Sequence, residues 1–223
     1  MKACEGFQVF EYVREEKGGG GLAIGIRDEF KPCLISEGDE NNEFLSVQAT
    51  IGDTDVTFIT GYGPQESEPR PKRQEFFARL SEEISAAELA GSSVFIELDA
   101  NSKLGPDIIN GDPHQISDNG KILSKVIEDH NLFLVNGSEL CKGIITRQRH
   151  TALINEDSVI DFVIVSGDLI KLIRSMVIDE DQLYPFTRFS IESGKRIIHN
   201  SDHNTIVVAV SYTHLTLPTN REV

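Results

Sequence analysis

Two stretches of this chain, residues 94–98 and 159–165, are apolar almost without interruption. A strand of that kind has to be covered on both faces, so both should lie in the middle of a sheet that is itself buried between layers. Each run also meets an acid. Asp99 follows Leu98, and Asp161 stands amid Val159, Ile160, Phe162, Val163, Ile164 and Val165. A carboxylate set into an apolar strand is costly unless something pairs with it, and histidine is the natural partner when an imidazolium has work to do. Ser201, Asp202, His203 and Asn204, which introduce a valine-rich strand near the C-terminus, supply one.

The rest of the pattern reads as short strands with two helices. Leu22, Ile24 and Ile26 alternate with smaller or polar residues, as do Leu45, Val47 and Ala49, and then Val56, Phe58 and Thr60; these predict neighbouring antiparallel strands. Gly52-Asp53-Thr54-Asp55 predicts a tight turn between the last two. A helix is expected from about Pro71 to Leu89, stopped by Gly91, with Phe76, Phe77, Leu80, Ile84 and Ala87 on one face. A second is expected from about Gly120 to His130, with Asn119 as its N-cap and a strand from Phe133 to Val135 after it. Strands alternating with outer helices imply an α/β sandwich of two packed, mostly antiparallel sheets flanked by helices. The glycines at 18–21 have no Gly-Lys-Ser/Thr and no helix after them, so they read as a turn before a strand.

At 223 residues the chain is long enough for one domain with a sizeable core. Its 21 Lys and Arg against 36 Asp and Glu give a formal charge of −15, which speaks against a general nucleic-acid coat. A local basic patch can still act, because charges beyond roughly 8 Å are largely screened at physiological salt. Three cysteines, Cys4, Cys33 and Cys141, have neither metal-like nor disulfide-like spacing, and no run approaches the ~18 apolar residues of a membrane span. An intracellular protein, nuclear or cytoplasmic and without membrane contact, is expected.

Gly61-Tyr62-Gly63-Pro64, Leu98-Asp99-Ala100-Asn101, Val159-Ile160-Asp161-Phe162 and Ser201-Asp202-His203 occur in an order and approximate spacing that resembles the endonuclease/exonuclease/phosphatase, or DNase I-like, superfamily. The likeness runs from about Gly19 to Val210. The stretch from Ile96 to Gly105 looks most like the mobile-element branch, the endonuclease domains of non-LTR retrotransposons and related reverse-transcriptase elements.

That resemblance implies a four-layer α/β sandwich and a metal-dependent phosphodiester hydrolase, here a DNA-nicking endonuclease using Mg2+ or Mn2+. Asp99 resembles the base that activates water. Asn101, on the same side if the chain is extended, would donate to a phosphate oxygen. His203 would contact the scissile phosphate, Asp161 would fix its ring, Asp202 would help organise metal and water, and the Tyr62 hydroxyl would reach the phosphate. Arg147 and Arg149, with Lys142, form a basic hairpin suited to DNA phosphates. The superfamily's principal metal-ligating Glu comes from early strands that have no counterpart in the sequence, and Glu5 is a poor substitute. The chain is therefore expected to lack its first strands, with residues 1–17 an irregular remnant, 18–210 the domain, and 211–223 a tail resembling a translated cloning adapter. Such a chain would bind metal weakly and be weakly active or inactive. The parent would carry a reverse transcriptase as partner; the alternatives are a phosphatase of the same superfamily acting on lipid or inositol phosphates, and a non-catalytic fragment.

Overall fold

The computed structural model describes residues 5–13, 21–39, 43–150, 155–185, 187–192 and 195–211. In chain order the strands begin with β1 (Phe7–Val13), β2 (Gly21–Arg27), β3 (Cys33–Glu37), β4 (Glu43–Ile51) and β5 (Thr54–Tyr62). Helix α1 (Arg70–Leu89) leads into β6 (Ser93–Asp99), and α2 (Asp118–Asp129) into β7 (Phe133–Leu134), β8 (Cys141–Lys142), β9 (Arg147–His150), β10 (Asn155–Ser158) and β11 (Asp161–Val165). The remaining strands are β12 (Ile173–Ile178), β13 (Thr187–Glu192), β14 (Lys195–Asn200) and β15 (Ile206–Val210).

The two apolar runs are β6 and β11, and they lie side by side within a six-stranded sheet of order β3-β4-β5-β6-β11-β7. Within this sheet, among the described residues, β5 and β6 are the one parallel pair; α1 provides the crossover it requires. On one face Val94, Ile96, Leu98, Phe162 and Ile164 pack with Phe76, Phe77, Leu80 and Ile84 of α1 and Leu123 and Val126 of α2. On the other, Phe95, Val163 and Val165 meet Ile173, Met176 and Ile178 of β12 and Ile206 and Val208 of β15. That second layer is a three-stranded sheet of order β15-β12-β8. Apolar side chains on both faces of one strand are what the uninterrupted runs encode. Both helices among the described residues cover the same face, and Phe44 stacks on Phe76 there with ring centroids 4.3 Å apart.

Three local expectations change. β2 does not border β4 in the sheet: its hydrogen-bonding partner is β1, and the β1–β2 ribbon lies with Ile26, Leu22 and Phe10 over Leu45, Val47 and Ala49 of β4. The neighbour of β4 is β3. β1 itself occupies part of the segment read as irregular. The cap of α2 is Ser117, whose side chain accepts from the Gly120 amide, and Asn119 is instead fully buried. The β4–β5 turn is as expected, with Ile51 opposite Thr54 and Gly52 at φ 66°, a conformation glycine adopts without strain. Residues 14–20 and 212–223, which hold most of the glycine run and nearly all of the expected tail, lie outside the described residues, as does Cys4; Cys33 and Cys141 are free thiols.

Phe162 is wholly buried at the centre of the helix-side core. Phe162→Ala should cost about 3–5 kcal/mol, transfer plus cavity, read as a lower midpoint in urea denaturation at unchanged slope.

Candidate active site

Tyr62, Asp99 and Asp161 stand abreast on three adjacent strands, Tyr62 opposite Asp99 in the β5–β6 register and Asp161 opposite Asp99 in the β6–β11 register. Two carboxylates facing each other across a strand pair repel. His203 relieves that repulsion. Its Nδ1 lies 3.0 Å from both oxygens of Asp161, and its Nε2 lies 3.9 Å from Asp99 Oδ2 and 4.0 Å from Asp202 Oδ1. A carboxylate only accepts, so Nδ1 carries a proton and donates to Asp161, leaving Nε2 directed toward Asp99 and Asp202.

The segment that delivers His203 is pinned by backbone. Arg147 and His203 form an isolated antiparallel bridge, the Gln148 amide donates to Asp202 O at 2.7 Å, and the Asn204 amide donates to Thr146 O at 2.7 Å. Thr146 is the buried hub beneath it. Its hydroxyl accepts from the amides of Ile160 and Asp161 at 2.9 and 3.0 Å, which fixes the start of β11 and the base of the Asp161 side chain.

Asn101 is not extended. Its φ is 44°, its amide N–H donates to Asp99 Oδ1 at 3.2 Å, and its side-chain amide donates to Gly63 O at 2.9 Å. The expectation that it shares a side with Asp99 through strand geometry therefore fails, although the turn still holds it beside Asp99 with a second amide hydrogen to offer. Gly63 makes that closeness possible: its N–H donates to Asp99 O at 2.6 Å, and a Cβ there would stand 2.4 Å from Ala100 O. Asn119 locks the same turn from behind. Its side chain donates to Pro64 O at 2.8 Å and Asn101 O at 3.4 Å and accepts from Arg73 at 3.0 Å, while Glu66 accepts from both the Asn119 amide and Arg73. The sequence marks Asn119 only as a polar residue near a helix start, and Arg73, Glu66 and Thr146 carry no signal there.

The expected nucleic-acid contacts divide. β9 and β10 do form a hairpin, but Arg147 Nε donates to Asp202 Oδ2 at 2.8 Å, so its charge is spent inside the site. Arg149 is exposed, opposite Glu156 in the hairpin register, and His150 pairs with Asp157 at 2.6 Å. The hairpin is thus charge-balanced rather than basic. Lys142 lies on β8 in the second sheet, paired with Val177. An open polar cavity of about 500 Å3 adjoins Asp202, walled by Gln148, Arg149, Glu180 and Gln182.

The electrostatics follow from this crowding. Burial, and then the charge of Asp161, push the Asp99 carboxyl up to about 7. Burial alone would pull the His203 ring down, but the hydrogen bond and charge of Asp161, with Asp99 and Asp202 adding, raise it to about 8. Burial works to raise Asp202, and Arg147 overcomes it and holds that carboxyl below its usual range. Asp99, Asp161 and His203 offer ligand atoms within 4.8 Å of one another. Two carboxylates and an imidazole suit a divalent cation; Asp202, expected to organise metal, is not in that group and is held by Arg147.

No family model and no curated protein matches the chain. Solved structures do. The chain is similar to the endonuclease domain of TRAS1, a telomere-specific non-LTR retrotransposon, with TM-score 0.62 and 17% identity over 93% of this chain and 81% of that one. A 3′-5′ exonuclease from Neisseria meningitidis gives TM-score 0.63 at 16% identity, covering 93% and 80%. A mannosyl-6-phosphatase from Bacteroides thetaiotaomicron gives 0.58 at 13%, covering 93% and 78%. The chain has the α/β sandwich fold of the endonuclease/exonuclease/phosphatase proteins.

In the metal-free protein His203 should titrate near pH 8 by imidazole NMR, and Asp161→Asn should bring it down. A raised folded pKa contributes stability that is complete below the ordinary 6.5 and lost as pH rises through 8, so Asp161→Asn should cost more stability at pH 6 than at pH 9. An unmoved His203 titration in the variant would contradict the assignment.

Proposed function

We propose that this chain is a phosphodiester hydrolase that nicks DNA, the endonuclease of a mobile element, with a reverse transcriptase as its functional partner. The observation that carries the reading is the Asp99–His203–Asp161 arrangement at the ends of two central strands. Breaking a phosphodiester needs an oriented and partly deprotonated water, and donors aimed where negative charge grows on the phosphoryl oxygens. Asp99, raised to about 7, is poised near neutrality between its base and acid forms and holds the water as general base. His203, raised to about 8, is mostly imidazolium there, and with Nδ1 committed to Asp161 it presents Nε2–H to a phosphoryl oxygen. The second amide hydrogen of Asn101 and the hydroxyl of Tyr62 serve the same oxygens. Arg147 keeps Asp202 ionised and the His203 segment in place.

Asp99 and Asp161 would hold a divalent ion, Mg2+ or Mn2+, while His203, protonated at both nitrogens, serves the phosphate rather than the ion. When bound, the ion supplies Lewis-acid stabilisation of phosphoryl charge and lowers the pKa of water. A second reading is a phosphatase acting on small phosphate esters, favoured by the charge of −15 and the balanced hairpin.

Supercoiled plasmid should be nicked with Mg2+ or Mn2+ and spared with chelator. Asp99→Asn and His203→Ala should each lower the rate by about 10²–10⁴-fold while leaving the circular dichroism spectrum unchanged. Phosphomonoester hydrolysis without nicking would select the phosphatase; neither activity from folded protein would reject both.

A further inference from the structure

Beside the Asp99 turn, two basic side chains approach one carboxylate, and a third basic residue is its cross-strand neighbour. Lys103 Nζ lies 3.6 Å from Glu156 Oε1, His114 Nε2 lies 4.0 Å from the same oxygen, and Arg149 is directly across the β9–β10 hairpin from Glu156. Lys103 and His114 belong to the loop that leaves Asp99 and Asn101; Glu156 and Arg149 belong to the hairpin that carries Arg147 and leads into Asp161. The cluster therefore closes the gap between the two rims of the site. An exposed ion pair is worth at most about 1 kcal/mol, so stability gives little reason to gather Lys103, His114 and Arg149 about one acid that is 39% exposed.

The backbone under Lys103 is held with unusual care for a rim residue. Its N–H donates to Ser117 Oγ at 3.1 Å, its carbonyl accepts from the Ser117 amide at 2.9 Å, and Gly120 packs against that carbonyl so closely that any Cβ would collide with it. Asp112, buried, accepts from the amides of Gly105 and His114 at 3.0 and 2.9 Å and fixes the other end of the loop. His114 Nδ1 is buried without a hydrogen-bond partner, 3.9 Å from Asp112, so the ring is aimed by packing toward Glu156. A loop backbone held this firmly at the rim, carrying Lys103 and His114 toward Glu156, suits a ligand site.

We propose that Lys103, His114 and Arg149 form a second phosphate subsite, which takes the backbone phosphate next to the scissile one in a polynucleotide, and that Glu156 occupies this subsite in the free chain. The assignment rests on the hydrolase reading of the Asp99–His203 centre. The Glu156 carboxylate stands where a phosphate oxygen would stand, and a polynucleotide displaces it. Lys103 and Arg149 supply charge; His114 supplies a directed N–H. Selectivity follows for a chain of phosphates over a single ester, because only a chain reaches both subsites.

The test is binding of a fluorescent DNA duplex to the whole protein in chelator, by anisotropy across a salt series. Lys103→Ala should weaken binding several-fold and lower the slope of log affinity against log salt by about 0.9, the loss of one phosphate contact. Glu156→Gln should tighten binding several-fold, since the competitor is gone. Lys103→Gln, which keeps the side chain's length, should repeat the slope change if the alanine variant unfolds. Unchanged slopes in the Lys103 variants, or weaker binding in Glu156→Gln, would overturn the subsite and leave the cluster a structural tie. Hydrolysis of bis(4-nitrophenyl) phosphate, a diester with no neighbouring phosphate, by the unsubstituted chain reports on the Asp99–His203 centre alone. Its absence would overturn the hydrolase reading and the neighbour assignment with it, whereas hydrolysis with unchanged slopes would overturn the subsite only.

Discussion

Two carboxylates held opposite each other on adjacent buried strands are the constraint around which this molecule is organised. Asp99 and Asp161 cannot be moved apart, because the apolar residues below them fix the β6–β11 register on both faces. Slipping the pairing by one residue would turn Phe162 and Ile164 out of the helix-side core. The repulsion has to be met by a third group, and His203 meets it. The backbone bonds that attach residues 202–204 to Thr146, Arg147 and Gln148 serve to hold that imidazole against a strand end it would otherwise have no reason to visit.

The turn after β6 is a second structure subordinate to the same place. Gly63, Asn101 and Asn119 form a polar stack that joins the end of β5 to the start of α2, satisfied at each level by backbone carbonyls, Arg73 and Glu66. A buried network of this kind is stabilising only when every member is paired, so it behaves as a unit. Its effect is to give the residues around Asp99 one conformation.

What could be read from the chain beforehand divides along physical lines. β6 and β11 were legible because burial on both faces leaves an unbroken apolar run, and Asp99, Asp161 and His203 because charged residues beside such runs demand partners. β1 was not legible: Phe7–Val13 belongs to a two-stranded ribbon whose side chains are mostly exposed or half-buried, so its pattern carries little of the core's signal. Asn119 was mistaken for a cap because its true partners, Arg73 and Glu66, lie 46 and 53 positions away. Arg147 looked like a phosphate contact for a similar reason, since Asp202, 55 positions on, is invisible to local charge counting. Local pattern reports which face is buried; it does not report which distant side chain a polar group will find.

His203 follows Asp161 by 42 positions, which bears on the order in which the site can close. The six-stranded sheet, whose last strand in sequence is β11, contains every residue of its own pairing and needs nothing from the His203 segment to form. Closing the remaining long loop is a late event, because its entropy must be met before the contacts that reward it. Until that segment docks, the sheet carries two mutually repelling acids with no imidazolium between them. Docking of residues 201–204 on Thr146, Arg147 and Gln148 is therefore the step that completes the arrangement of Asp99, Asp161 and His203.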